Sequence, residues 1–226
     1  IIGFLFWFSI SIVGISFGSK YETPSVGVIM MENLGSADDA FWVRGITQDL
    51  IIKIASSGNI RIPSIKEIIN LDGSESFKKI AERLNVKYIL TSNLYKDDKQ
   101  FKLSSRLINT ETGISEYANK WTESNEKSST IVNTLASQML NIIKPSKSDE
   151  LLKDEKIINS ESYMLYMKAK ANGGIYTLYQ DISNEELLLT RKLFNKAITI
   201  DSTNIDAHIQ LARTHLFHEG HDKAFN

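Results

Sequence analysis

Between Phe101 and Ile108 the side chains alternate with a period of two: Phe101, Leu103, Ser105 and Leu107 against Lys102, Ser104, Arg106 and Ile108. That period belongs to an extended strand with one buried face. Polar turns bracket the stretch. Lys96-Asp97-Asp98-Lys99 precedes it, and Asn109-Thr-Glu-Thr-Gly113 follows it. The apolar run from Val86 to Tyr95 and the segment Ile114 to Glu123, with Tyr117 and Trp121, read as the flanking strands. Strands joined by tight turns are antiparallel, so the middle of the chain is a meander.

Upstream the period changes. Ser25 to Met31 reads as a buried strand, and Asn33-Leu-Gly35 as a turn. From Asp38 to Ser57, Phe41, Val43, Ile46, Leu50, Ile51 and Ile54 recur at helical spacing, closed by Gly58. Ile60 to Ile65 is expected to be a further strand, with Pro63 at its end or on an edge. Glu75 to Leu84 is a short amphipathic helix ended by Asn85, and Lys127 to Ile143 is a longer one. Strands separated by helices are normally parallel. The fold class is therefore α/β, a mixed five-stranded sheet with packed helices over residues 24–143. Residues 144–160, with Pro145, Ser146 and Ser148 among dense charges, read as a linker or a weak helix. Residues 161–226 are purely helical.

Ile1 to Phe17 carries no charge and shows no polar face. A membrane-spanning helix needs about 20 apolar residues, so residues 1–18 read as a truncated transmembrane helix. The competing reading is the apolar core of a signal peptide, for which Gly18-Ser19 is a faint cleavage signal. The chain opens on Ile1 and stops within a helical pattern at Asn226, so it is expected to be a piece of a longer protein.

Val26 to Leu34 followed by Phe41 to Leu50 resembles the opening of the TolB amino-terminal-like, or FlgO-like, domain. The matching positions are Asn33, Leu34, Gly45, Ile46, Thr47, Gln48, Asp49 and Leu50. Ile80 to Leu90, Leu107 to Gly113, and Trp121 resemble later motifs of that family in the same order. Met31 replaces the family's Phe, and Thr91-Ser92-Asn93 replaces its Glu-Gly-Ser. The tail resembles tetratricopeptide repeats, with Phe194, Ala197 and Asp201 matching one helix and Ala207, His208, Leu211 and Ala212 the next. Tyr163 to His208 spans 45 residues against a period of about 34, so the segment Gly173 to Asn184 would be an insertion. The resemblance implies a membrane-attached signalling protein whose cyclase or winged-helix DNA-binding part lies across the inner membrane. It places the α/β domain and repeats in the periplasm on a single-pass anchor.

Basic and acidic residues balance, 26 against 27, which gives no electrostatic reason for a nucleic-acid partner. There is no cysteine, which removes thiolate chemistry and disulfides. Phosphate-cradling glycine motifs and nucleophile elbows are absent. His208, His215, His218 and His221 could share a helix face, but the ligand count favours ordinary helix histidines over a metal site. Asp38 and Asp39 read as helix-capping residues, and Asp97-Asp98 as turn residues. Asp49 has no base or metal partner in view and reads as a structural carboxylate or the mark of a ligand cleft. Thus no catalytic, cofactor or metal residue is expected in this chain. Asn33, Leu34, Gly45, Thr47, Asp49, Gly113 and Trp121 are the structural or partner-binding candidates. Tyr163, Tyr166, Tyr176 and Tyr179 read as repeat core or as a concave binding surface, and Tyr163, Tyr166, His208 and His215 are the candidates for that surface.

The functional expectation is a non-catalytic sensory or protein-binding region outside the cytoplasm. Protein partners would meet the repeats, the membrane would hold residues 1–17, and oligomers are compatible with it. The alternatives are the regulatory region of a membrane-bound nucleotide cyclase, and an exported envelope scaffold.

Overall fold

The computed structural model describes residues 23–71, 74–143, 157–174 and 182–224, with side chains described as far as residue 216. The anchor expected at residues 1–18, most of the linker, and Tyr176 and Tyr179 lie outside the described residues. Among the described residues, no helix is long and apolar enough to cross a membrane.

The meander forms as its alternation requires. β3 (Tyr88–Lys96), β4 (Gln100–Asn109) and β5 (Ser115–Ser124) are antiparallel neighbours. Asp97 shapes the first turn, its Oδ1 accepting the amides of Lys99 and Gln100 at 2.8 Å each. Gly113 completes the second turn at φ +71°, a left-handed conformation that favours glycine. β1 (Val26–Val28) and β2 (Glu32–Asn33) both lie parallel to β3, on the edge opposite β4. They form one interrupted strand. At the break the Met31 amide turns away and donates to Thr47 Oγ1, 3.1 Å distant.

The strand expected at Ile60 to Ile65 is not formed. It contributes a single parallel bridge, Ser25 to Arg61. Pro63 removes a ladder donor. Ser64 and Glu67 then make a reciprocal capping box that starts α2 (Ile65–Ile69). The sheet still counts five strands because a short strand, β2, forms at Glu32–Asn33, past the end of the first expected strand and at the start of the expected turn.

One face of the sheet, carrying Val26, Val28, Leu90, Leu94, Phe101, Leu103 and Leu107, is buried under α1 (Ala40–Ser56) and α4 (Ser128–Ile143). Among the described residues the opposite face is covered only at one end. There α3 (Phe77–Leu84) packs Ile80, Ala81 and Leu84 on Ile89. Asn85, at φ 51°, ends α3 in the left-handed conformation.

The helical tail does not stand apart. α5 (Ser160–Ala169) lies on α1, α6 (Asn184–Ile200) on α5, and α7 (Ile205–Ala224) on α6. Buried Tyr166, Met167, Phe194, Ala197 and Ala207 belong to the same apolar cluster as the sheet residues. A buried polar thread joins the three helices. Ser162 Oγ donates to the Ala197 carbonyl at 2.8 Å, and Asn204 Nδ2 donates to Ser162 Oγ at 3.0 Å.

Candidate functional site

Two regions concentrate polar side chains: the contact between α1 and α5, and the uncovered part of the sheet. The first is built by residues at helical spacing on α1. Trp42, Gly45 and Asp49 share a face, and that face meets α5. The Trp42 and Tyr163 rings lie 5.8 Å apart between centroids. Gly45 permits the close approach, since a Cβ there would sit 2.8 Å from Met167 Sδ and 2.9 Å from the Met167 carbonyl oxygen.

One turn along, Asp49 Oδ1 accepts from Lys170 Nζ at 2.7 Å and from the Tyr166 hydroxyl at 2.9 Å. Lys170 also donates to the Tyr166 oxygen at 3.2 Å. All three side chains are buried. Lys53 bridges outward, 3.8 Å from Asp49 Oδ2 and 3.3 Å from Asp206 on α7. Burial raises the Asp49 carboxyl pKa, but the Lys170 and Lys53 ammonium groups and the hydrogen bonds outweigh it and hold it below the ordinary carboxylate range. Burial, reinforced by Asp49, pushes the Tyr166 hydroxyl well up, so it remains a proton donor. Burial draws Lys170 down, and Asp49 opposes that.

This arrangement is a clasp: its Asp49, Tyr166 and Lys170 side chains are buried and bonded to one another. The placement of Tyr163 and Tyr166 corrects their reading as a binding surface: at 3% and 1% exposure they are filled into the α1–α5 core. His208 and His215 are exposed, and the His208 ring lies 3.1 Å from the Ser202 carbonyl. The side chains of His218 and His221 lie outside the described residues. Among the described residues no three His, Asp or Glu side chains gather as metal ligands.

The remaining motif residues stay apart from the clasp. Thr47 Oγ1 donates to the Val43 carbonyl while accepting the Met31 amide, tying α1 to the strand break. Asn33 folds its own turn, accepting from the Gly35 amide at 3.0 Å and donating to the Ser36 carbonyl at 2.7 Å. Leu34 is exposed. Trp121 stands on the helix-covered side of β5, opposite Leu103 and beside Tyr117, whose hydroxyl donates to Gln138 of α4. Asp39 is no side-chain cap. Ser36 takes the Asp38 amide, and Asp39 instead pairs with Lys96 at 3.4 Å.

The second region is the open sheet face. Thr91 and Asn93 of β3, Ser104 and Arg106 of β4, and Ala118 and Lys120 of β5 project from it in register. With Phe77 of α3 and Glu32 of β2 at its border, this face forms a cleft of about 690 Å³. The side chains of Arg106 and Lys120 are exposed and make no ion pair or hydrogen bond with other described residues. Lys102 stands further along the same face, 5.1 Å from the centre of the Tyr95 ring. In the sequence Arg106 stands out only as part of the polar half of an alternation. The available signal was that the outward positions of neighbouring strands are both basic and hydroxyl-rich.

No protein-family model matches the sequence, and no curated protein does. Among solved structures, TolB of Acinetobacter baumannii is similar over 55% of this chain and 29% of its own, at 8% identity and a TM-score of 0.42. This chain therefore spans under a third of TolB. Lipoprotein GNA1162 of Neisseria meningitidis is similar over 54% of this chain and 98% of its own, at 14% identity and a TM-score of 0.38. The C-terminal domain of LpoB from Escherichia coli is similar over 47% of this chain and 87% of its own, at 21% identity and a TM-score of 0.35.

Proposed function

We propose that this chain is the non-catalytic, protein-binding region of an exported envelope scaffold, and that its partner docks on the open sheet face. The observation that carries this reading is the cleft of about 690 Å³ in which Arg106 and Lys120 face solvent over a floor of hydroxyl and amide side chains. Exposed cations without internal partners add little stability and are suited to meeting acidic groups of another molecule. Export is supported by the uncharged segment Ile1 to Phe17, read as an anchor or a signal core, and by the sequence resemblance to TolB-like domains.

The clasp favours a scaffold over a sensory relay or a cyclase regulator. A relay needs an element with two arrangements. Here α1 of the sheet layer and α5 of the tail share a core and a buried ion pair, which suits a fixed body.

The test is site-specific photo-crosslinking in cells, with a benzophenone side chain at Asn93 or Thr122. A discrete protein adduct is expected at both positions and is expected to disappear with Arg106→Glu plus Lys120→Glu. No adduct from either position, or one indifferent to the charge reversal, would overturn the reading.

A further inference from the structure

A separate cleft lies where α1 and α2 face α7, and it contains a buried polar group with no partner. Gln48 is fully buried, yet neither its amide oxygen nor its amide nitrogen makes a hydrogen bond with another described residue. Buried amides are almost always paired, and an orphan that lines a cavity marks where a partner fits. The cleft measures about 230 Å³ and is walled by Ile51, Ile52, Ala55, Ile62, Pro63 and Ile65. This is below the range of drug-sized ligands and limits the occupant to a small molecule or a single residue. α7 contributes Gln210 and Arg213. Arg213 forms no ion pair or hydrogen bond with another described residue.

The three groups specify a ligand. A guanidinium takes a carboxylate, commonly through two hydrogen bonds. The Gln48 nitrogen donates and its oxygen accepts, so the ligand must offer an acceptor and an N–H donor together. The walls are aliphatic. We infer that this cleft binds an aliphatic α-amino carboxylate, either free or as the C-terminal residue of a peptide. Arg213 holds the carboxylate, Gln48 holds a carboxylate oxygen and the adjacent N–H, and the isoleucines enclose the side chain. This site lies apart from the open sheet face and does not depend on the docking reading.

The test is isothermal titration calorimetry of the full chain with L-leucine and N-acetyl-L-leucine, beside two analogues that each lack one group. L-leucinamide lacks the carboxylate, and 4-methylpentanoate lacks the N–H donor. Saturable binding of L-leucine or its acetyl derivative is expected, with each analogue weaker by about tenfold. Tighter binding of the acetyl compound assigns the site to a peptide C-terminus, and tighter binding of L-leucine assigns it to the free amino acid. Gln48→Met is expected to abolish binding without lowering the melting temperature, since it removes the orphaned amide. Arg213→Gln, on α7, is expected to erase the preference for L-leucine over L-leucinamide. Absence of saturable heat from both carboxylates up to about 10 mM, as for a cleft that holds only water, overturns the inference. So does binding left unchanged by both substitutions.

Discussion

Lys170 Nζ lies 2.7 Å from Asp49 Oδ1, joining the end of α5 to the middle of α1 with both side chains out of solvent. The pair sits where the sheet layer and the helical tail meet, so its stability contribution is shared by both. Breaking a buried pair from one side strands the other charge and costs about 3–5 kcal/mol. Lys170→Met is therefore expected to destabilise the chain by about that amount in urea unfolding. Asp49→Leu combined with Lys170→Met is expected to recover about half the loss or more, because apolar replacements of a buried pair are often neutral. A double variant no more stable than Lys170→Met alone would show that the carboxylate has a further role.

The same carboxylate sets an acid limit. Asp49 is held below its ordinary pKa, so the unfolded chain takes up the proton more readily than the folded one. Its contribution is fully present above about pH 4 and is lost as the pH falls through the lower folded value. Glu67, Asp97 and Glu186 are lowered as well, by hydrogen bonds at Ser64, at Lys99 and Gln100, and at Ser183 respectively. Comparison with Asp49→Asn isolates the buried group. The wild-type unfolding free energy is expected to fall more steeply than that of Asp49→Asn between about pH 4 and pH 2. Parallel curves would place the acid sensitivity elsewhere.

Gly45 and Asp49 also show how far the sequence could be read. The alternation of β4, the two polar turns and the helical spacing on α1 are local signals, and the elements they specify form. Ile60 to Ile65 misled because an apolar run containing Pro63 outweighed the capping signal of Ser64 and Glu67. Gly45 and Asp49 were visible as motif residues, but their partners Met167, Tyr166 and Lys170 lie more than a hundred positions away. No periodicity encodes that contact. Tyr163 and Tyr166 were read as a possible surface for the same reason: a tail treated as a separate unit has no sheet layer to bury them.

Gly45→Ala tests the close approach. The added methyl would meet the Met167 backbone carbonyl as well as its sulfur, so rotation of the Met167 side chain cannot relieve it. Overpacking of this kind costs about 1–3 kcal/mol, and α1 must shift from α5 to accept it. The expected result is a loss in that range in urea unfolding, together with weakened hydrogen-exchange protection along α5. A gain in stability, as when alanine simply replaces glycine in a helix, would mean that the helices are further apart than described.

Thr47 offers a test with a built-in control. Its hydroxyl is both the acceptor for the Met31 amide and a donor to the Val43 carbonyl. Thr47→Val keeps the shape and leaves that backbone amide without its acceptor, at a cost of about 1–3 kcal/mol. Thr47→Ser keeps the hydroxyl and is expected to cost under about 1 kcal/mol, from one buried methyl. The Met31 amide should exchange faster with solvent in Thr47→Val and not in Thr47→Ser. Equal losses in the two variants would assign the residue's effect to packing alone and leave the break between β1 and β2 to be explained by the chain path through Ile29 and Met30.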